Sequence, residues 1–228
     1  MQEQKNDKKS FVLRKGRITF AQRRALKSLK SRYYIPVGKG KLDLAEPFFD
    51  SEKKLIADIG FGVGESLLSM AKKFQEANFI GIEVYPSGIG SALNQIHQSK
   101  LTNIKIIEFD VFDLLETKVD KEIFDVMVFL YPDPWPKRKH HKRRLLTKDF
   151  FSLLYDKMTL GGLVFCKTDW EDYYSQIEEI IVSDDRWTDE DLVNLPEYLQ
   201  SLPTTKYERK ALKEGRESRE LFFRKTSG

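Results

Sequence analysis

One cysteine among 228 residues, Cys166, leaves no disulfide to form within the chain. Its setting in Leu163-Val164-Phe165-Cys166 assigns it to the interior as a small hydrophobe and fits a reducing compartment. Long apolar runs are absent too, none approaching the roughly 18 residues that a membrane-spanning helix needs. The basic N-terminus has no apolar stretch behind it of the kind a secretory signal carries, so a cytoplasmic protein with no membrane partner is expected. His140 and His141 lie in a cationic run without cysteine or spaced carboxylates, and no metal is expected there. Internal repeats and low-complexity linkers are also missing.

What is present is 40% hydrophobic and 32% charged residues, ordinary for a folded protein, at a length that suits one sizeable core. The net charge of +4 conceals a division. Residues 1–41 carry 13 Lys or Arg against Glu3 and Asp7, a segment charge of +11 that leaves −7 on the remainder. A basic arm on a mildly acidic body concentrates polyanions at one part of the surface, nucleic acid before anionic membrane. The first dozen residues have almost nothing to bury and are expected to be disordered. The expected organisation is a partly disordered basic arm over 1–41 and one domain over 42–228.

From Leu55 the chain alternates between strand and helix signals. Leu55 to Ile59 is an apolar run ending in glycines, followed by Leu67, Ala71 and Phe74 at helical spacing. Phe79 to Val84 repeats the strand, and Ile89, Leu93 and Ile96 the helix. Ile104 to Phe109, Phe124 to Leu130 and Leu163 to Cys166 give further strands, with helical stretches around 111–116 and 147–158. Such alternation predicts an α/β fold, a parallel sheet with helices on both faces. Ile177, Ile180 and Ile181 mark the inner side of another helix, and the acidic stretch Asp184 to Asp191 is expected to be a solvated loop or helix start. At the C-terminus, Lys206 to Leu212 and Leu221 to Lys225 flank a short Lys-Glu-Gly-Arg-Glu stretch, a spacing that predicts an antiparallel hairpin.

Asp58-Ile59-Gly60-Phe61-Gly62-Val63-Gly64 follows the first strand and opens a helix, where glycines let the backbone approach a ligand closely. The dinucleotide fingerprint would require glycine at 65. Glu65 stands there, a poor neighbour for a pyrophosphate at a helix N-terminus, so a cationic or neutral ligand fits better. Glu83 ends the second strand 25 residues after Asp58, placed to accept two hydroxyl hydrogen bonds, and Asp110 ends the third.

This spacing of Asp58, the glycine loop and Glu83 resembles the Rossmann-like, class I S-adenosylmethionine-dependent methyltransferases. The resemblance implies a mostly parallel seven-stranded sheet, with Asp58, Gly60, Gly62, Glu83 and Asp110 around S-adenosylmethionine as cofactor. After the fourth strand comes Tyr131-Pro132-Asp133-Pro134-Trp135-Pro136-Lys137, two prolines gripping one aspartate, and then the cationic run Arg138-Lys139-His140-His141-Lys142-Arg143-Arg144, suited to phosphates.

These residues narrow the resemblance to the bacterial tRNA (guanine-N7-)-methyltransferases. Arg14-Lys15-Gly16-Arg17 is similar to that family's N-terminal basic element, Thr168-Asp169-Trp170 follows the fifth strand, and Thr205-Lys206-Tyr207-Glu208 matches its Thr-Lys-aromatic-Glu motif. Two departures are mild: Asp58 stands where many members have Glu, and Tyr207 where others have Phe. What the resemblance implies is methyl transfer to N7 of the variable-loop guanine, position 46, of tRNA. Asp133 would be catalytic and near the cofactor. Lys137, Asp169, Thr205, Lys206, Tyr207 and Glu208 would contact substrate. The run 138–144, with Arg14, Lys15 and Arg17, would grip RNA. No protein partner is called for, and monomer and homodimer both stay open. Three rivals remain at this stage: an exocyclic-amine methyltransferase, since Asp133-Pro134-Trp135 partly matches an Asp/Asn-Pro-Pro-aromatic loop; an NAD-dependent oxidoreductase; and a non-catalytic RNA-binding module.

Overall fold

The computed structural model describes residues 17–48 and 50–226. The expected disorder of the first dozen residues, and Arg14 and Lys15, lie outside them. Among the described residues seven strands form one sheet: β1 (Lys54–Ile59), β2 (Ala77–Glu83), β3 (Ile104–Glu108), β4 (Phe124–Leu130), β5 (Met158–Thr168), β6 (Trp187–Asp189) and β7 (Arg219–Lys225), in the order β3-β2-β1-β4-β5-β7-β6. Strands β1 to β5 pair in parallel, and β7 runs antiparallel to both its neighbours. The helices are α1 (Phe20–Ser28), α2 (Lys30–Tyr33), α3 (Glu65–Lys73), α4 (Pro86–Gln98), α5 (Val111–Thr117), α6 (Lys148–Lys157), α7 (Glu171–Val182), α8 (Glu197–Gln200) and α9 (Lys206–Lys213).

Side-chain alternation divides the core between the two faces of the sheet. Leu55, Ala57 and Ile59 of β1 join Met127 and Phe129 of β4 under α5, α6 and α7, while Ile56, Val126 and Val128 face the opposite layer of α3 and α4. The expected helix faces are buried there: Leu67 and Ala71 on α3, and Ile89, Leu93 and Ile96 on α4. Part of the basic N-terminal segment belongs to that same layer. Ala25, Tyr33 and Tyr34 are buried in it, and Tyr34 bridges to Ile106 of β3. Cys166 is fully buried, and burial pushes its thiol pKa far up, as expected of an inert core residue.

Two local expectations are corrected. The antiparallel closure at the C-terminus exists, but the arm expected over Lys206 to Leu212 is helix α9, and β7 pairs instead with β5 and with β6. Thr205-Lys206-Tyr207-Glu208 is itself a helix-start signature, Thr-x-x-Glu: the Thr205 hydroxyl accepts from the Glu208 amide at 3.2 Å and caps α9. The acidic stretch 184–191 contains β6, because Trp187 buries its ring against Phe151 and Phe223 and draws the segment onto the sheet edge.

Candidate active site

Strand order reverses between β1 and β4, and the crevice at the carboxyl ends of the strands is where such sheets bind ligands. Asp58, Glu83, Asp110, Asp133 and Asp169 all lie at or just beyond those ends. Two connected lobes open there. One, of about 400 Å³, is lined by Asp58, Gly62, Ser66, Glu83, Gln22 and Thr205 among others. The second, of about 150 Å³, is walled by Glu83, Phe109, Asp110, Leu130, Asp133 and Leu145 among others. Gly60, Glu83, Tyr85, Leu130 and Tyr207 belong to both.

The glycine loop is built by backbone demands. Gly60 and Gly62 adopt φ of 70° and 59°, the left-handed region that disfavours side chains. A Cβ on Gly88 of α4 would lie 2.3 Å from the Gly62 carbonyl oxygen, so glycine at 88 lets the helix close onto the loop. Glu83 sets the loop's shape from the other side, accepting from the Gly62 amide at 2.9 Å and from Val84 and Tyr85 amides at 2.7 and 3.1 Å. Burial raises its carboxyl pKa, these three bonds pull it back, and neighbouring Asp133 raises it again.

Asp58 is 1% exposed and accepts from the Ser66 hydroxyl at 2.6 Å. Burial lifts its carboxyl to about 7, partly offset by Ser66 and added to by Glu83. Its second oxygen, Oδ1, is buried without a hydrogen-bond partner among the described residues. A buried acceptor left unpaired costs free energy unless a ligand completes it. A donor such as an ammonium group suits this cavity wall, so the residues present fit an amino acid moiety here. Asp110 caps α5, accepting from the Asp113 amide at 3.0 Å, at the wall of the smaller, largely apolar lobe.

Asp133 is exposed at the lip of the smaller lobe. Its loop carries two strained residues, Tyr131 at φ 54° and Trp135 at 47°. That strain is held by partners distant in sequence. The Tyr131 amide donates to the Lys167 carbonyl at 2.7 Å, its hydroxyl meets Ser218 Oγ at 2.7 Å, and Arg144 Nε donates to the Pro134 carbonyl at 2.8 Å. Arg144 thereby departs from the expectation of an RNA contact. It is 3% exposed and spent on Pro134, Gln176 and Asp172, the last at 2.6 Å, with its guanidinium over the Tyr173 ring. His141 also turns toward Asp172, at 3.4 Å. Lys137, Arg138, Lys139 and Lys142 are exposed, with His140 and Arg143 half-buried around Trp135. Arg17 is exposed as well.

The remaining expected substrate contacts converge on this lip through partners not anticipated from the sequence. Asp169 accepts from Arg216 Nε at 2.7 Å. Glu208 accepts from Lys167 Nζ at 2.8 Å, and Lys167 also meets Glu220 at 2.9 Å. Burial alone would lower the Lys167 pKa, but Glu208 and Glu220 outweigh it and raise it. The Lys206 amide donates to Glu65 Oε2 at 2.6 Å, and Arg209 donates to Glu65 Oε1 at 2.7 Å. Burial would raise the Glu65 carboxyl, yet these bonds hold it below its usual range. Tyr207, so anchored, stacks on Tyr131 at 6.4 Å between centroids and hangs over Gly62. Gln22, Ser66, Lys167 and Arg216 escaped sequence reasoning, as did the bonds of Glu65 to α9; each meets its partner across a tertiary contact, with no local spacing to announce it.

Comparison with solved structures shows that this fold is shared with methyltransferases of known structure. A 16S rRNA methyltransferase, KamB, aligns with TM-score 0.57 at 12% identity, covering 81% of this chain and 91% of that one. The [4+2]-cyclase SpnF aligns at 0.52 and 14% identity, covering 91% and 95%, so the shared fold alone assigns no reaction. A family model described as "Putative methyltransferase" matches residues 52–221. Sequence relatives are more specific. The tRNA (guanine-N(7)-)-methyltransferase of Nitrosospira multiformis is 39% identical over 96% of this chain and 95% of its own, and that of Nitrosomonas europaea 40% over 96% and 97%. The chain belongs to the tRNA (guanine-N(7)-)-methyltransferase family.

Proposed function

We propose that this chain transfers the methyl group of S-adenosylmethionine to N7 of the variable-loop guanine, position 46, of tRNA, working in the cytoplasm. The observation that carries the reading is the pairing of a donor cavity, with the unsatisfied Asp58 oxygen in its wall, to the Asp133 loop at its lip and a cationic run directly behind. Asp58 would take the α-ammonium of the cofactor, Glu83 its ribose hydroxyls, and Asp110 with Phe109 the adenine end. S-adenosylmethionine supplies an electrophilic methyl on a sulfonium.

Guanine N7 holds an in-plane lone pair and no proton, so the N7–methyl bond forms as the sulfur–methyl bond breaks and no general base is required. Positive charge passes from sulfur to the purine. Asp133 therefore acts by orientation, accepting from the N1–H or N2–H edge of the base, and alignment of this kind contributes several kcal/mol to a displacement. A carboxylate-rich rim also favours the cation that develops on the methylated base. Glu208 and Asp169 support that rim, each already neutralised in part by Lys167 and Arg216. Lys137 to Arg143, with the basic arm over 1–41, would hold backbone phosphates.

Incubation with unmodified tRNA and S-adenosylmethionine, followed by mapping of the methylated nucleotide, tests the reading. The expected product is 7-methylguanosine in the variable loop; methyl on adenine, on an exocyclic amine or on protein would overturn it.

A further inference from the structure

Helix α1 has two faces of opposite character. Ala25 is buried, and Gln22, Leu26 and Leu29 are half-buried against the domain. The docking is close: a Cβ on Gly90 of α4 would lie 2.8 Å from Gln22 Cβ, and Gln22 Nε2 donates to Ser91 Oγ at 2.9 Å. The outward face carries Phe20, Arg23, Arg24 and Lys27, at i, i+3, i+4 and i+7, one continuous stripe. Phe20 is 81% exposed, an aromatic ring in water amid three cations. Among the described residues none of those cations is ion-paired, whereas Lys30, just beyond the helix, has Glu108. The first turn of α1 holds no acid.

The position of the stripe is what gives it meaning. Gln22, on the inner face of the same turn, lines the larger lobe, so the cations lie on the outer side of the helix that walls the donor cavity. The run Lys137 to Arg143 leads away from Asp133, at the lip of the smaller lobe. Seven residues of helix span about 10 Å, the reach of roughly three phosphates along one strand of a nucleic acid duplex. An aromatic ring among cations is the arrangement that binds a base face and the backbone beside it.

We propose that the outer stripe of α1 is a second tRNA-binding surface, in which Arg23, Arg24 and Lys27 hold backbone phosphates and Phe20 stacks on an unpaired base. This rests on the reading of tRNA as substrate. It adds a phosphate-and-base contact on the side of the cavity opposite the run 137–143, so that tRNA is held on both sides of the guanine it presents.

The test uses the full chain and compares wild type with Arg23→Gln/Arg24→Gln/Lys27→Gln and with Phe20→Ala, measuring tRNA binding across a salt series. For the triple variant, the slope of log affinity against log salt should fall by about 2 to 3, one counterion release per lost phosphate contact. For Phe20→Ala, affinity should drop at least about fivefold with the slope unchanged. S-adenosylmethionine affinity equal to wild type confirms that both variants fold. Unaltered tRNA affinity and slope in the triple variant, with wild type methylating the same tRNA, would overturn the proposal alone. So would loss of binding to phosphatidylglycerol vesicles with tRNA binding intact, which would make the stripe a membrane surface. A wild-type protein that binds S-adenosylmethionine but transfers no methyl to tRNA would be the separate failure of the underlying reading.

Discussion

The ammonium of Lys167 lies 2.8 Å from the Glu208 carboxylate, while the peptide carbonyl of the same residue accepts the Tyr131 amide at 2.7 Å. One residue at the end of β5 thus ties the Asp133 loop to the start of α9, two segments about 75 positions apart. Its charge also diverts Glu208 from the reciprocal capping bond that a Thr-x-x-Glu helix start would otherwise make.

Lys167→Met keeps the length and the backbone bond but leaves Glu208 and Glu220 without their shared cation. The half-buried Glu208 carboxylate, left without its cation, is costly, on the order of 1–3 kcal/mol, while exposed Glu220 loses little. Turnover should fall about 10- to 100-fold while S-adenosylmethionine affinity stays near wild type, as measured by single-turnover kinetics and calorimetry. Unchanged turnover would remove Lys167 from any positioning role.

The buried Asp58 carboxyl gives a pH dependence with a definite sign. In the unfolded chain an aspartate loses its proton near pH 4, and in the folded protein Asp58 does so at about 7. Between those values the folded state binds the extra proton, so this group's contribution to stability is present below about pH 4 and lost as pH rises toward 7. Cofactor binding to the ionised carboxylate runs the other way. Affinity for S-adenosylmethionine should strengthen from pH 5.5 to 7, by close to tenfold per unit below the transition, with uptake of the ligand releasing a proton. Calorimetry in buffers of differing ionisation enthalpy measures that proton, and Asp58→Asn should abolish its release.

Glu65 joins α3, on the cofactor side, to Lys206 and Arg209 of α9. The Arg209 pair is partly exposed and of small worth to stability, within about 1 kcal/mol. Its value is geometric, since it sets where Tyr207 hangs over Gly62. Glu65→Ala should raise KM for tRNA severalfold with the melting temperature nearly unchanged. The exchange Glu65→Arg/Arg209→Glu should recover part of that loss, and identical kinetics in the single and exchanged variants would dismiss the pair as incidental.

Asp133→Ala is expected to abolish turnover, by 100-fold or more, with tRNA binding nearly intact, because the phosphate contacts lie elsewhere. Asp133→Asn retains one acceptor oxygen and should keep measurable activity. A flat pH–rate profile in that variant would agree with orientation; full activity in Asp133→Ala would reject any part for the side chain.

The sequence by itself determined the order of strands and helices from 54 to 182, because apolar spacing records which face of each element is buried. It also determined the carboxylates at the strand ends, since Asp58, Glu83, Asp110 and Asp133 each follow directly from where an apolar run stops. It misread the two places where a longer-range force competes with local pattern: Trp187 drew an acidic stretch into the sheet, and Thr205 capped a helix where a strand was expected. Only the tertiary structure decided which charges are free. Arg144, the last of eight consecutive basic or histidine residues, is consumed by Asp172 and Pro134, while Arg23, Arg24 and Lys27 have no ion-pair partner among the described residues. The physical reason is that pairing depends on distance in space, and Glu65 with Arg209, or Lys167 with Glu208, are brought within hydrogen-bond reach by packing that no short window of sequence encodes.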